Sequence, residues 1–508
     1  MNTFKTFLSL SILFCFSNFY GQTNDSVRLF PKIKEQYNSE RILKNNYYYN
    51  PASMSDYSSL SLSEFKISYH NDRKNAYRAQ LGSGETGFQI SADSYKKLRK
   101  NNFIWGNASY SNLNLKNITW NEDLDFERIG PYVLGDSVGG NKKLEIYQFG
   151  GGFGKQYTKF SYALTGNYKA QMAYRDRDPR SKNTTSDLTL RAGVNYDVYK
   201  NYQIGAFAEI NKYTQSGSIK FVSEVSKPLI YQMVGFGFSN NFFSSEYASV
   251  QFEEFGYKIG GQISSKNGKD FYLRGSYKNS TNTKSVITKN SNTYYDASEL
   301  EHEFYDIEGA KFFNFGNHRT GLLLNYSSSI RTGYEFGYTN NTTLITQIYK
   351  RAAYKKEDYY STAKLFYQYS KDDFTASITP YFTFEETIDR RIYPFSGQKF
   401  DFYTFGFESN IQKEIAKNQV ISFQPTFSYR VANSAVNALD QSLRPSIAQW
   451  IENDYKFLSS DVISFGAALR YDIKLDNLPS MFITGAWLTQ RILEKNNNFG
   501  AVSLGITF

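Results

Sequence analysis

The last ten residues, Phe499 to Phe508, alternate with period two. Val502, Leu504, Ile506 and Phe508 are bulky and apolar, while Ala501, Ser503, Gly505 and Thr507 between them are small. A strand sorts such residues onto separate faces because successive side chains point to opposite sides; a helix does not. The pattern recurs in Leu188–Val198, Phe271–Lys278, Phe374–Phe384, Ile421–Tyr429 and Ile463–Lys474. These runs approach or exceed the ~9–11 residues that a tilted strand needs to cross a bilayer, more than a soluble sandwich requires. One apolar face and one small or polar face suit a wall between lipid and an aqueous lumen. Taken alone, the final segment would also satisfy the edge of a soluble sandwich.

The beginning of the chain places it outside the cytoplasm. Lys5 precedes an apolar run from Phe7 to Phe16, and Gly21 stands near a cleavage point, so residues 1–22 read as a secretory signal peptide. The run is too short for a spanning helix, which needs about 20 apolar residues. Cys15, the sole cysteine, lies inside it, and Phe14 before it does not suit a lipidation site. The mature chain therefore lacks disulfides and thiolate metal ligands. Mean hydropathy is −0.54, which a barrel tolerates because only alternate residues meet lipid. The 43 Tyr and 43 Phe supply aromatic girdles, and the 35 Gly supply small residues for the lumen. Secretion removes nucleic acid as a partner for the +10 net charge; lipopolysaccharide or another polyanion fits it better.

Residues 23–59 lack strand alternation, although Leu29, Ile33, Tyr37 and Ile42 are loosely helical. This segment is expected at the periplasmic end or inside the lumen as a plug, with Tyr47, Asn50 and Pro51 against the wall. From residue 60 to 508, short turns such as Lys200–Asn201, Gly316–Asn317 and Ala416–Asn418 alternate with longer polar loops. The loops include Asn121–Lys142, Arg175–Thr185, Tyr338–Lys356 and Ala432–Lys456. The expected fold is all-β: a single transmembrane up-and-down antiparallel β-barrel of about 18 strands, with both termini in the periplasm. Merged or split strands would give about 14 or 16.

Several stretches resemble an uncharacterised family of Gram-negative outer-membrane β-barrel proteins, a domain of unknown function. They are Asn50-Pro51-Ala52, Trp105–Tyr110, Pro131–Gly140 and, most specific, Tyr174–Asn183, where the family pattern has proline at the place of Ser181. The Asn-Pro-Ala signature is also similar to one in fatty-acid-transporter-like barrels and in barrels of gliding and secretion machinery. The resemblance implies the barrel and an outer-membrane location, but no activity. It also implies that insertion machinery reads the aromatic-ended last strand.

Two groups of residues are candidates for function. Arg175, Asp176, Arg177, Asp178 and Arg180 crowd one short outer loop, as a ligand contact or lid, or as a self-satisfied ion-pair knot. Arg191, Glu209, Lys258, Arg274, Lys364, Glu408, Arg470 and Asp472 fall on the lumen face, as a solute path or a polar interior of paired charges. Gly150–Gly154 resembles a phosphate loop only superficially, since no helix is expected after it. His70, His302 and His318 are spread along the chain with no triad or metal spacing. No enzyme activity and no cofactor are expected. Two functions remain open: a porin-like or partner-gated transport channel, and a non-conducting scaffold that binds a surface lipoprotein, an outer-membrane transporter or a larger machine.

Overall fold

The computed structural model describes residues 28–223, 225, 227–244, 248–287, 293–339, 345–475 and 478–508. The expected signal peptide, with Cys15, lies outside the described residues, as do residues 23–27 and parts of four connections. The chain opens with helices α1 (Leu29–Gln36) and α2 (Ser39–Leu43) and two short 3-10 turns, Tyr47–Tyr49 and Pro51–Asp56. Strands β1 (Leu62–Arg73), β2 (Gly84–Lys97) and β3 (Asn102–Ile118) follow. Next come α3 (Phe126–Ile129), β4 (Leu134–Gly135), β5 (Gly140–Gln156), β6 (Phe160–Tyr174), β7 (Arg180–Tyr199) and β8 (Tyr202–Lys220). After a connection holding β9 (Tyr231–Gly235) and β10 (Phe238–Ser239) come β11 (Ala248–Ser265), β12 (Phe271–Ile287), β13 (Tyr294–Phe315) and β14 (His318–Tyr338). The remainder is β15 (Gln347–Ser370), β16 (Phe374–Arg391), β17 (Ser396–Ala416), β18 (Gln419–Ala438), α4 (Pro445–Leu458), β19 (Val462–Ile473), β20 (Ser480–Ile492) and β21 (Lys495–Thr507).

All strands but β4, β9 and β10 join one 18-stranded sheet. Neighbours in sequence are antiparallel neighbours in space, and β21 pairs back onto β1 from Glu64↔Thr507 to Arg73↔Asn498. Closure leaves no edge, so every mid-strand N–H and C=O has a partner where lipid offers none. This is an outer-membrane-type barrel of the strand number that the alternation predicts. Short turns gather at one end, where Gly316 and Asn418 adopt φ of 64° and 62°, the left-handed geometry that tight hairpins require.

The outer face carries an aliphatic belt, with Ile67, Leu190, Ile259, Leu273 and Leu504 all exposed. Aromatic rings bound it on both sides. Near the short turns, Tyr157 lies 6.5 Å from Phe160 and Tyr202 lies 5.9 Å from Phe271. Higher up, Tyr277 lies 6.2 Å from Tyr257 and 4.9 Å from Tyr305. A belt framed by two girdles is the pattern that a bilayer imposes on a barrel.

The strands reach further than the hydropathy pattern suggests. The sequence marks Tyr338–Lys356 and Ala432–Lys456 as loops, yet β15 begins at Gln347 and β18 runs to Ala438, with α4 beyond it. Above the belt both faces of a strand meet water, so alternation fades while the hydrogen-bond ladder continues.

Residues 499–508 hold both the β20 and the β1 seams. Removing them leaves two open edges in hydrocarbon, at several kcal/mol for each unsatisfied group. The truncated chain is therefore expected to give no heat-modifiable band on unboiled gels and no outer-membrane fraction. A folded, protease-resistant product would contradict this.

Candidate functional site

The lumen is covered from both ends. At the short-turn end, the segment before β1 lies against inward-facing wall residues. Leu29, Phe30 and Ile33 of α1 form a buried cluster with Val420 of β18. Tyr47 joins a second buried cluster with wall residues Tyr272, Phe312 and Phe366, and Met54 and Tyr57 pack against a third made by Tyr95, Phe103 and Ala163. Polar contacts lie between these clusters. Tyr37 donates to Glu64, which Arg470 grips at 3.0 Å while also pairing with Asp472 at 2.7 Å. Glu40 pairs with Arg319 and with Lys44. Asn46 donates to Glu308 at 2.7 Å, and Tyr49 donates to Glu209 at 2.7 Å.

Close approach is possible because the wall facing Tyr47–Pro51 contains glycines. A side chain at Gly193 would strike Asn50 and Pro51, and one at Gly268 would strike the ring of Tyr47. Tyr47 and Asn50 are fully buried there, and Asn50 Nδ2 donates to the Val194 carbonyl at 3.2 Å. Its Oδ1 accepts from Ala52 N at 3.1 Å, which starts the second 3-10 turn. Pro51 fits this first-turn position, where no N–H is needed.

At the long-loop end, residues 119–139, the connection carrying β9 and β10, and helix α4 converge over the mouth. Ile129, Val133, Leu134, Ile230 and Met233 form one buried apolar cluster with wall residues Tyr213 and Phe252. Trp120 stacks on Trp450 of α4 at 4.8 Å. Arg128 fastens α3 to the wall, reaching Glu254 and Asp187 at 2.8 Å each and lying 4.0 Å over the Tyr213 ring.

The charged loop between β6 and β7 divides its labour. Arg175 is buried and donates to Glu122 at 2.5 Å, and it lies 3.6 Å from Asp136; Lys142 completes the group at 3.2 Å from Glu122. The other four are more peripheral. Asp176 pairs with Lys143 at 2.8 Å, and Arg177 is exposed. Asp178 accepts from Val222 N and Ser223 N of the next loop, while Arg180 folds back onto Asp178 at 3.0 Å. The inter-loop ion-pair anchor is therefore Arg175, rather than Arg177 or Arg180.

The eight lumen candidates all lie on inward positions. Arg191 pairs with Glu209 at 2.6 Å, Arg274 with Asp306, and Arg470 with Asp472; Lys364 stands 4.0 Å from Glu408, whose carboxylate is largely exposed. Lys258 is buried with its ammonium 4.0 Å over the Tyr49 ring. Sequence reasoning missed Glu122, Arg128, Asp136 and Arg319. The first three sit in an aperiodic loop, and nothing local distinguishes them from solvated charge.

Burial, and then the adjoining Glu122 carboxylate, push the Asp136 carboxyl up to about 7. Its folded pKa exceeds that of an unfolded aspartate, so the stability it contributes is present at low pH and is lost as pH rises through about 7. The mouth cover should become more protease-sensitive as pH rises from about 4 to 7 and change little above about pH 8. Asp136→Asn, which keeps the acceptor used by Val138 N and Gly139 N, should flatten that dependence; an unchanged slope would contradict the assignment. At the other end, Gly193→Val should expose Tyr47–Ala52 to protease while the barrel stays heat-modifiable. Continued protection of that stretch would contradict the glycine argument.

A family model described as a family of unknown function (DUF6850) matches residues 51–508. No curated protein matches the chain. Among solved structures, the outer membrane transporter YddB from Escherichia coli is 8% identical over 88% of this chain and 81% of its own, with a TM-score of 0.42. The siderophore receptor PirA from Acinetobacter baumannii is 9% identical over 88% and 80%, with a TM-score of 0.39. BauA, the ferric preacinetobactin receptor of the same organism, is 8% identical over 88% and 80%, with a TM-score of 0.37.

Proposed function

The chain belongs to the DUF6850 family of unknown function, and from the geometry of its lumen we propose that it is a gated transport barrel of the bacterial outer membrane. The short-turn end faces the periplasm, and the segment before β1 is the plug. The observation that carries this reading is the chemistry of the plug's seat. The segment meets the wall through three separate apolar clusters and, between them, through ion pairs and hydrogen bonds such as Glu40–Arg319 and Tyr49–Glu209. Water can replace the polar contacts one at a time, and the apolar contacts are split among three clusters, each smaller than the one under the outer loops. Inward charges such as Lys364 and the exposed Glu408 give a displaced plug a hydrated path to uncover.

Both ends are covered, so a permanently open pore does not fit; opening requires a partner, a ligand or a pull on the N-terminal segment. The apolar cluster under the outer loops favours a second reading, a closed scaffold that displays its loops to a surface lipoprotein or another outer-membrane protein. Planar-bilayer conductance separates the two. The full chain should be silent or flicker, and Glu40→Gln with Arg470→Gln, which loosens two plug anchors, should open it at least about tenfold more often. Silence in that variant, with the barrel folded and the plug protease-sensitive, would favour the scaffold.

A further inference from the structure

A row of basic side chains faces the lumen beneath the mouth cover. Lys258 of β11 stands directly across from Lys278 of β12. His302 of β13 stands across from Arg331 of β14, which in turn stands across from Lys356 of β15. The two groups meet at Ser280, which pairs with His302 and lies two residues beyond Lys278. Like charges directly opposite on a sheet are unfavourable, so strand pairing does not account for the row.

The carboxylates nearby are mostly engaged. Arg191 and Tyr49 hold Glu209, Arg128 holds Glu254, and Arg274 holds Asp306. Lys356 has Asp358 at 3.4 Å and Asp389 across the strand pair, and Glu127 lies 3.6 Å from Arg78. Lys258, Lys278 and Arg331 have no carboxylate within 4.0 Å among the described residues. Arg331 donates to the backbone carbonyl of Glu127, and the aromatic ring under Lys258 belongs to Tyr49. At its upper end the row borders a cavity of about 120 Å³, whose lining includes Arg331, Lys356 and Arg78, the rings of Phe126, Trp120 and Trp450, and the carboxylates of Glu127, Asp389 and Asp454, of which Glu127 and Asp454 face Arg78.

We propose that Lys258, Lys278 and Arg331, with His302 among them, form an anion-recognising ledge for a small solute bearing carboxylate or phosphate oxygens. The proposal rests on the transport reading and names its substrate class. Guanidinium and ammonium donors already withdrawn from bulk water gain most from an oxyanion that completes their hydrogen bonds. The apolar rings beside the cavity suit the solute's uncharged body. Tyr49, the ring under Lys258, comes from the N-terminal segment, so an occupied ledge borders the element proposed to move.

Calorimetric titration of the full chain folded in zwitterionic detergent tests this, with citrate and inorganic pyrophosphate as probes. At least one probe should bind, and binding should weaken as salt is raised. Lys278→Gln with Arg331→Gln should weaken it at least about tenfold. Lys220→Gln, at an exposed position at the end of β8, should leave it unchanged. If the double variant loses its heat-modifiable band, Lys278→Gln alone carries the comparison. Binding by wild type and double variant alike, or by neither, would overturn the ledge. A barrel that binds a probe but never conducts keeps the ledge and loses the transport reading; one that conducts without binding either probe loses the ledge.

Discussion

Everything in this structure depends on one seam, the antiparallel pairing of β21 with β1. A sheet of 17 other pairings can be complete and still be unstable in lipid if its last edge stays open, because hydrocarbon offers no partner for a free N–H or C=O. The seam turns 18 amphipathic strands into a wall. It fixes which side chains meet lipid and which meet the lumen, and a slip of one residue would exchange them. Ser68 and Ser503 meet across it with hydroxyl oxygens 2.8 Å apart on the lumen side, while Ile67 and Leu504 face out.

Closure also creates the problem that the rest of the chain addresses. The interior contains Arg, Lys, Glu and Asp in a partly desolvated space, where an unpaired charge is expensive. The N-terminal segment and the outer loops meet those charges from opposite ends. Arg470 with Glu64 and Tyr37, and Arg128 with Glu254 and Asp187, are the same device at the two mouths. The covers differ in the rest of their contacts. The loop cover adds one large apolar cluster, and the N-terminal segment adds three smaller, separate ones with hydrogen bonds and ion pairs between them. That difference is why the N-terminal segment is the better candidate for the moving part.

The barrel was legible in the sequence because lipid imposes a strict rule on alternate residues, visible from Leu188 to Val198 and from Val502 to Phe508. Where lipid ends, the rule ends, so the upper reaches of β15 and β18 read as loops. The helical spacing of Leu29, Ile33 and Tyr37 foretold α1, but Ile42 of that same series points away and is 57% exposed. The charged loop was visible as a cluster, yet its inter-loop anchor, Arg175, was not distinguishable from Arg177 or Arg180. The distinction comes from Glu122 and Asp136, more than 35 residues earlier in an aperiodic segment. The ledge was half legible: Lys258 fell on an inward face, but its opposition to Lys278 is a matter of register between strands.

The central claim is a closed barrel in this register, and a cross-link across the seam tests it most directly. Cysteines at Ser68 and Ser503, placed in a chain whose only other cysteine is Cys15, should form a disulfide in the folded protein. A second pair at Ser68 and Val502, one residue out of register with its side chain facing lipid, should not. Trapping of the first pair alone is the result this account predicts. Efficient trapping of the second, or of neither in a heat-modifiable barrel, would contradict it.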